Sequence, residues 1–400
     1  MLVGIVGKPN CGKTTFLNAA CLTSAKVANY PFTTVEPNLG KAYVRKKCNC
    51  RDLKIQDNPK NSICLDGIRL IPISLLDVAG LVPDAWKGKG LGNKFLGDLS
   101  RADALIHVID ASGSTDSEGK IIEPGTWDPL KDVTFLENEI THWFNNIINK
   151  DWPKFTRSLK AEKVSFVEKM SDRLSGLSIK KIHIIQALKQ TGLNPDKINN
   201  WSEEDIFNFS ATLRRIAKPI IILANKADQK TAKENIKRLK ELDNYIVVPG
   251  CALGEYWLRK YAEKGLIKYI PGDSNFKFLK KESFSNQELK VLENLEDFNK
   301  EYGSTGIQTT LNTAVFTLLD MIAVYPVHNI SNFSDKDDNV LPDVFLIKNG
   351  TTIKKFSGKI HTDLEESFLY GINARTKQRL GEGYILKDND IVKIISMKGT

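Results

Sequence analysis

The sequence predicts an α/β fold in which a doubly wound sheet carries a helical insertion and is followed by a small β-rich domain. The apolar run from Leu2 to Val6 leads through a glycine-rich segment into a helix-like stretch. Two further buried-strand patterns, 104–109 and 219–224, lie roughly a hundred residues apart, although a crossover between parallel strands needs only a dozen or more. Alternating apolar residues then return near both ends of segment 340–397.

The segment after the first strand reads G-K-P-N-C-G-K-T and fits the phosphate-loop pattern G-x-x-x-x-G-K-[ST]. Glycines let backbone N–H groups turn toward a phosphate, the lysine reaches the β- and γ-phosphates, and the threonine hydroxyl can bind Mg²⁺. We therefore expect Lys13 to act on the transferred phosphate and Thr14 to be a metal ligand. The predicted nucleotide-binding residues here are Gly7, Lys8, Pro9, Asn10, Cys11, Gly12, Lys13, Thr14 and Thr15.

Two later motifs stand at strand ends. In D-V-A-G, the Asp77 carboxylate can hold Mg²⁺ and the Gly80 N–H can meet the γ-phosphate. In N-K-A-D, Asp228 can accept two hydrogen bonds from guanine, whereas adenine lacks that donor pair. We expect Asn225 to tie this loop to the phosphate loop and Lys226 to lie over the base. The predicted ligand is GTP or GDP.

Three segments carry a resemblance to a known family: N-Y-P-F-T-T-V-E-P-N-L-G at 29–40, D-V-A-G-L-V-P at 77–83 and G-K-G-L-G-N-K-F-L at 88–96. They resemble the Obg-related translation-factor GTPases and, within them, the YchF-like branch. The resemblance implies a P-loop NTPase domain in which Thr34 is a magnesium ligand. Many YchF proteins have glutamate where this chain has Asp228 and use ATP, so the aspartate favours GTP. The usual Ser-Ala contact to guanine O6 appears as Cys251-Ala252, which leaves the Ala252 N–H as the expected contact.

The residue after Gly80 is Leu81, where Ras-type enzymes place a glutamine that orients water. Another group must then stabilise charge on the transferred phosphate. Asn10 is one candidate, because similar GTPases with asparagine at this position often coordinate K⁺ there. The alternative is that Asn10 only tolerates a left-handed turn. The expected catalytic set is Lys13, Thr34, Gly80 and Asn10.

The C-terminal segments L-P-D-V-F-L-I-K-N-G-T-T, H-T-D-L and L-K-D-N-D-I-V-K-I resemble a TGS domain, a β-grasp module. The resemblance implies contact with RNA or the ribosome. We expect a helix around Asp363–Gly371 and interpret His361 as a turn residue that stabilises the fold. The expected basic face comprises Lys354, Lys355, Lys359, Arg375, Lys377 and Arg379.

Four segments are predicted: the first part of the GTPase domain at 1–120, the helical insertion at 121–215, the second part with a helical bridge at 216–335, and the TGS-type domain at 340–398. The bridge is expected over Lys260–Tyr302, and the apolar stretch Ile307–Met321 is expected to form a helix that packs on the nucleotide domain. In the insertion, apolar residues recur at near-helical spacing, and Lys and Arg exceed Asp and Glu between Lys150 and Lys189. This basic stretch either binds RNA or is a solvated face. The tryptophans of the insertion are expected in the core.

The net charge of +9 and pI near 9.0 favour a polyanionic partner, although a basic proteome gives the same values. No apolar run is long enough to span a membrane and no signal peptide is evident, so we expect a cytoplasmic protein without a membrane partner. The sequence leaves the oligomeric state open. The six cysteines do not suggest a disulfide framework. Cys48, Cys50 and Cys64 either bind zinc with a fourth ligand that the sequence does not reveal, or are free thiols.

Together these patterns predict a GTPase that uses Mg²⁺ and acts as a nucleotide-dependent switch on RNA or the ribosome. Two alternatives stay open. The chain could be a non-catalytic adaptor that GTP orders, because the glutamine is absent. It could also be an ATPase of the YchF type, against which Asp228 argues.

Overall fold

The computed structural model describes residues 1–21, 39–78 and 92–397, with side chains from residue 97 onward in the last range. Thr34, Gly80 and Leu81 lie outside these ranges, as does most of the segment 29–40. Their predicted roles therefore stay predictions. Asp77 lies inside the described part, at the end of a strand.

A mixed sheet forms the centre of the molecule, and seven of its strands lie in the described ranges. They are β1 (Leu2–Val6), β2 (Leu39–Lys47), β3 (Ile63–Leu65), β4 (Ile68–Asp77), β5 (Ala104–Asp110), β6 (Ile220–Asn225) and β7 (Ile246–Pro249). The order is β2-β4-β1-β5-β6-β7, with β3 also paired to β4. The pairs from β4 to β7 are parallel, and β2 and β3 run antiparallel to β4.

Strands β5 and β6 are neighbours, as predicted, with Asp110 opposite Asn225 at their C-terminal ends. Both strands are buried along their whole length. Successive side chains of β5 enter different cores: Leu105 packs with the insertion, while Ile106 and Val108 pack on the other face. A strand covered on both faces needs a continuous apolar sequence, which explains the pattern of both strands.

Three helices belong to the first part of the sheet: α1 (Lys13–Cys21), α2 (Asn49–Leu53) and α3 (Gly92–Arg101). Five more lie between β5 and β6 and form the insertion: α4 (Leu130–Asn149), α5 (Trp152–Glu162), α6 (Phe166–Arg173), α7 (Lys181–Thr191) and α8 (Glu203–Ala217). Short 3₁₀ turns at Ser175–Leu177 and Pro195–Asn200 connect the last of them.

The insertion has its own aromatic core. The ring centres of Trp152 and Trp201 are 5.8 Å apart in a stacked pair, and Phe166 packs edge-on against Trp201 at 5.3 Å. Trp152 is buried in the core, as expected, and Trp143 and Trp201 are partly buried against it. Trp127 instead lines a separate cavity beside Lys8. The apolar positions that predicted helices here are all buried in the same cluster: Phe155, Leu159, Phe166, Met170, Leu174 and Leu177.

After β6 the chain adds α9 (Ala232–Lys240), α10 (Ala252–Glu263), α11 (Asn286–Tyr302) and α12 (Ile307–Asn312). The prediction of a helical bridge over Lys260–Tyr302 is only partly right, since β8 (Ile267–Lys268) and β9 (Lys277–Phe278) form a hairpin within it. Strands of two residues give no periodicity, and this hairpin is held instead by aromatic packing of Phe276, Phe278 and Phe284.

The apolar stretch from Ile307 was expected to stay helical to Met321. Helix α12 instead continues as a π-helical turn over Thr313–Leu318, and Asp320 takes a left-handed φ of 47° that ends it. Helix α12 packs on the central sheet as predicted. The contact includes a hydrogen bond from Gln308 Nε2 to the Tyr43 carbonyl of β2 at 2.7 Å. A short apolar run such as residues 321–326 does not distinguish strand from helix by periodicity.

The C-terminal sheet contains β10 (Met321–Pro326), β11 (Phe345–Lys348), β12 (Phe368–Asn373), β13 (Arg379–Leu380) and β14 (Ile391–Ser396) in the order β11-β10-β14-β12-β13. Its helices are α13 (Ile353–Ile360) and α14 (Thr362–Glu366). The expected helix at 363–371 is thus a single short turn followed by a strand, and α13 was missed. His361 caps α14, accepting from Asp363 N through Nδ1 at 3.3 Å, so its predicted structural role is confirmed. Strand β10 precedes the predicted domain start at residue 340.

The predicted fold class is confirmed: a doubly wound α/β sheet, a helical insertion and a separate C-terminal β sheet. Within the described ranges, no helix is both long and apolar enough to cross a membrane.

Candidate nucleotide-binding site

Two glycines of the loop after β1 stand where a side chain would not fit. Gly12 has a φ of +103°, and a Cβ there would lie 2.1 Å from Nδ2 of Asn225. Gly7 has a φ of +149°, and a Cβ there would lie 2.4 Å from the Val108 carbonyl oxygen. The loop can approach the ends of β5 and β6 this closely only with glycine at both positions.

Lys13 begins α1 and folds back across the loop. Its Nζ donates to the carbonyl oxygens of Gly7 at 2.8 Å and Lys8 at 2.7 Å. Thr14 follows on the exposed side of the first helical turn. The first N–H groups of a helix lack partners within the helix and carry the positive end of its dipole, so this loop suits a phosphate group.

A cavity of about 380 Å³ lies between this loop, the segment after β6 and the start of α10. It is lined by Asn10, Gly12, Lys13, Thr14, Thr15, Asn225, Lys226, Asp228, Gln229, Cys251, Ala252 and Leu253. All of these except Gln229 and Leu253 were predicted from the sequence to contact nucleotide. The structure thus brings residues from distant parts of the chain to one cavity.

The side-chain amide of Asn225 joins three segments of the site. Its Nδ2 donates to the Cys11 carbonyl at 2.9 Å, and its Oδ1 accepts from the Ala252 N–H at 3.0 Å. The first bond is the expected tie to the phosphate loop. The second bond uses the Ala252 N–H, which was expected to contact guanine O6. Ala252 therefore first serves to position Asn225, and a base could only share this hydrogen.

The side chain of Lys226 is held by hydrogen bonds to Asp110, at the end of β5, and to Ser114. Its Nζ donates to Asp110 Oδ2 at 2.9 Å and to Ser114 Oγ at 3.1 Å. Burial alone would raise the pKa of Asp110, but hydrogen bonds from Ser112, Lys226 and Ser114 bring it below its usual value. The carboxylate is therefore charged and fixes the ammonium, which leaves the aliphatic stem of Lys226 as the part available to lie over a base.

Asp228 lines the cavity, and its Oδ2 accepts from Gln229 Nε2 at 3.0 Å. Beside it, Cys251 caps α10, because its Sγ accepts from the Gly254 N–H at 3.3 Å. Burial, together with the Asp228 charge, raises the pKa of the Cys251 thiol. Cys251, which replaces the serine of the usual Ser-Ala pair, is therefore a neutral cap beside the carboxylate.

Asp77 ends β4 beside the phosphate loop. Its Oδ1 is buried and has no hydrogen-bond partner among the residues that the structure describes. Burial raises the pKa of Asp77, and the nearby Lys13 charge opposes this shift. A buried carboxylate oxygen without a partner is costly unless a cation binds it, so Asp77 fits the predicted magnesium site.

Three residues of the predicted phosphate loop contribute no side chain to the cavity. Lys8 is buried and pairs with Asp132 Oδ2 of α4 at 2.8 Å, which turns its charge toward the insertion. Cys11 is fully buried in the core, where burial raises the pKa of its thiol. Pro9 is not among the lining residues either. Their prediction as nucleotide-binding residues can hold only for backbone groups.

Asn10 combines features of both roles considered for it. Its φ is 60°, the left-handed region that asparagine tolerates. Its Nδ2 donates to the Gly119 carbonyl at 2.9 Å, so the amide oxygen is the atom left for a cation. The geometry is compatible with a turn residue and with a cation ligand.

Sequence reasoning missed Asp110, Gln229 and Leu253. Asp110 had a usable signal, because ligands of open α/β sheets bind at the carboxyl ends of parallel strands and Asp110 ends β5. Gln229 and Leu253 follow recognised motif residues directly and carried no signal of their own.

Comparison with known proteins agrees with this geometry. A family model described as a 50S ribosome-binding GTPase matches residues 2–138, one described as an Obg-like GTPase YGR210-like, G4 motif-containing domain matches 223–329, and a TGS domain model matches 338–396. Among curated relatives, an uncharacterized GTP-binding protein of Methanocaldococcus jannaschii is 48% identical over 396 residues, which is 99% of each chain.

The ribosome-binding ATPase YchF of Bacillus subtilis is 26% identical to this chain, and the match covers 98% of both chains. Among solved structures, a GTP-binding protein from Pyrococcus horikoshii is 40% identical with a TM-score of 0.80, covering 99% of this chain and 100% of that one. On these matches, and with the phosphate loop, the N-K-A-D loop and the C-terminal sheet in place, the chain belongs to the Obg-related GTP-binding proteins of the YchF-like branch.

Proposed function

We propose that this protein hydrolyses GTP to GDP and phosphate and acts as a nucleotide-dependent switch. The observation that carries the proposal is that one cavity is lined both by Lys13 and Thr14 of the phosphate loop and by Asp228 of the N-K-A-D loop. A cavity lined by both predicted phosphate-binding and predicted base-reading groups fits a nucleoside triphosphate better than a smaller ligand.

The proposed reaction is in-line attack of water on the γ-phosphate. Lys13 is held close to the loop carbonyls and would interact with the β- and γ-phosphate oxygens. We assign Gly80 to sense the γ-phosphate through its N–H. These assignments require little covalent chemistry from the protein, because positioning and charge stabilisation dominate phosphoryl transfer.

Thr14, Asp77 and Thr34 are the proposed magnesium ligands. Asp77 is supported by its buried Oδ1, which has no hydrogen-bond partner among the described residues. Mg²⁺ at this place would neutralise charge on the phosphate oxygens. Thr14 supplies an exposed hydroxyl at the start of α1. Burial raises the pKa of Asp77, and the nearby ammonium of Lys13 opposes this shift. The Asp77 carboxylate can therefore also interact with Lys13.

Guanine is the proposed base, although relatives such as the Bacillus subtilis protein are named ATPases. Asp228 presents a carboxylate, which accepts hydrogen bonds only and so matches the N1–H and amine of guanine. Adenine would place its own acceptor, N1, against this carboxylate. The repulsion makes the ATPase alternative the less favoured one.

Asp228→Asn should weaken GTP binding by about 10- to 100-fold, since it removes charge-assisted hydrogen bonds. Affinity for xanthosine triphosphate should rise, because its carbonyl accepts from the new amide. Calorimetric titration of GTP, ATP and xanthosine triphosphate tests this, with Asp243→Asn, an exposed aspartate outside the cavity, as the matched control. Equal affinities of the unaltered protein for GTP and ATP would contradict the base assignment.

Asn10 is proposed to help bind K⁺ beside the phosphates. The observation in its favour is that its amide nitrogen is engaged by Gly119, which leaves the carbonyl oxygen as a ligand. K⁺ bound there would offset negative charge that develops between the β- and γ-phosphates. Such a charge would serve in place of the missing glutamine.

Single-turnover GTP hydrolysis should be at least about tenfold faster in K⁺ than in Na⁺ at constant ionic strength. Asn10→Gly should abolish this difference and leave GDP affinity nearly unchanged, because glycine tolerates the φ of 60° without strain. Asn10→Asp, which keeps an oxygen and tolerates the same backbone, is the control and should retain a K⁺ response.

Equal rates in the two salts would assign Asn10 to the turn alone. Absence of turnover in either salt, with GTP bound and Mg²⁺ saturating, would favour the non-catalytic adaptor over the GTPase.

The proposed partner is the ribosome or its RNA, in the cytoplasm. A family model described as a ribosome-binding GTPase and relatives named ribosome-binding ATPases support this proposal. The basic face predicted for the C-terminal sheet is not continuous, because Lys354 pairs with Glu382 at 2.7 Å and Arg375 donates to Asn49 at 2.6 Å. Those residues are therefore engaged within the protein.

A second group of basic residues, which includes Lys359 of the predicted face, lies where the insertion and the C-terminal domain are close together. Burial lowers the pKa of His183, and Lys348, Lys180 and Lys218 lower it further, which shows that positive charges from both parts lie close together. Burial lowers the pKa of Lys359, and the charge of Lys180 lowers it further. Lys218 is buried, but Lys180, Lys348 and Lys359 are exposed, and clustered exposed cations are suited to a phosphate backbone.

The triple change Lys180→Glu, Lys348→Glu and Lys359→Glu should therefore weaken ribosome binding at least about tenfold and flatten its salt dependence. Co-sedimentation with purified ribosomes over a salt series measures both effects. The matched control carries the same charge change on three exposed lysines elsewhere, Lys277→Glu, Lys280→Glu and Lys290→Glu. Equal losses in the two triple variants would show a general charge effect and contradict the assignment of this surface.

A further inference from the structure

Four side chains with metal-binding atoms meet in the segment between β2 and β4. The ligand atoms of Cys48, Cys50, Asp57 and Cys64 all lie within 4.8 Å of one another. They come from the turn before α2, from α2 itself, from the following loop and from β3. The sequence offered three thiols without a fourth ligand, and the fold supplies Asp57.

The spacing of these atoms matches a tetrahedral zinc site. With Zn–S bonds of about 2.3 Å, tetrahedral geometry places two sulfur ligands about 3.8 Å apart. The Sγ atoms of Cys50 and Cys64 are 3.8 Å apart. Cys48 Sγ donates to Asp57 Oδ2 at 3.1 Å. Zinc binding would replace that shared proton, because thiols bind the metal as thiolates.

The surroundings balance the charge of such a site. Zinc with three thiolates and one carboxylate carries two net negative charges. Arg69 is completely buried beside the cluster, with Nη2 3.1 Å from Asp57 Oδ2, and its guanidinium would offset one of them. A buried arginine needs such compensation, and its bond to Asp57 would also orient the ligand.

We propose that Cys48, Cys50, Asp57 and Cys64 bind one structural Zn²⁺ ion. Four protein ligands fill the tetrahedral coordination of zinc, so no position is left for water or substrate. Cys48 and Cys50 are buried, and Cys64 and Asp57 are only partly exposed, as suits a structural site. The set of three sulfurs and one oxygen disfavours Mg²⁺ and Ca²⁺, which prefer all-oxygen ligands.

The site would brace the surface on which the C-terminal part of the chain docks. Within the same segment, the backbone N–H of Lys60 donates to Pro342 O at 2.7 Å, and Asn61 Oδ1 accepts from the Val344 N–H at 3.0 Å. Arg69 adds a bond from Nη2 to Leu341 O at 2.9 Å. Zinc binding should therefore stabilise the contact between the GTPase domain and the C-terminal domain.

Metal analysis of the full-length, untagged protein tests this proposal. Protein from zinc-supplemented cells should contain one zinc ion per chain, and Cys64→Ser should lose it. Cys21→Ser is the matched control, since Cys21 is a half-buried thiol outside the cluster, and it should keep the zinc. Titration of the thiols with a mercurial should release zinc together with the reaction of Cys48, Cys50 and Cys64.

Two measurements on the unaltered protein keep the test independent of variant folding. Refolding with Co²⁺ should give the thiolate charge-transfer band and the intense visible bands of tetrahedral cobalt. Stripping the metal should lower the thermal unfolding temperature, and zinc should restore it. Zinc well below one per chain, with no tetrahedral cobalt spectrum from the fully reduced protein, would overturn the proposal. A disulfide between Cys50 and Cys64 in the freshly purified protein would also overturn it.

Discussion

The nucleotide site depends on one buried amide. Asn225 ends β6, and its side chain binds both the Cys11 carbonyl of the phosphate loop and the Ala252 N–H at the start of α10. Each buried hydrogen bond contributes only about 1 kcal/mol net, but a lost partner leaves a buried polar group unsatisfied at greater cost. Gly12 is required by the same contact, since a Cβ there would lie 2.1 Å from Asn225 Nδ2. One side chain therefore fixes the phosphate loop relative to the N-K-A-D loop and the start of α10.

Motif residues and strand adjacency could be predicted because their signals are local. The phosphate loop, the N-K-A-D loop and the pairing of β5 with β6 follow from short patterns and from the rules for parallel sheets. The side-chain direction of Lys8 could not be predicted, because its partner Asp132 lies on a helix of the insertion. The start of the C-terminal sheet at β10 likewise depends on contacts between distant segments. The approach of Asp57 to Cys48, Cys50 and Cys64 is local, but it depends on how α2, the following loop and β3 fold together.

The domains are joined by buried polar contacts rather than by linkers alone. Arg69 of the GTPase domain donates to the Leu341 carbonyl of the C-terminal part, and Lys8 pairs with Asp132 of α4 in the insertion. The last contact bears on the proposed switch, because it links the predicted phosphate loop to the insertion. A change in the loop on hydrolysis would act directly on this ion pair, which is one physical route from nucleotide state to partner binding.

The most direct test of this account is the GDP affinity of Asn225→Asp, measured by calorimetry on protein whose fold is verified by its unfolding transition. The carboxylate keeps the acceptor for the Ala252 N–H but loses the donor to Cys11 and buries a charge against that carbonyl. The account predicts that affinity falls at least about tenfold for GDP and GTP alike, because the loops lose their common anchor. Unchanged affinity for both nucleotides in a folded variant would contradict it.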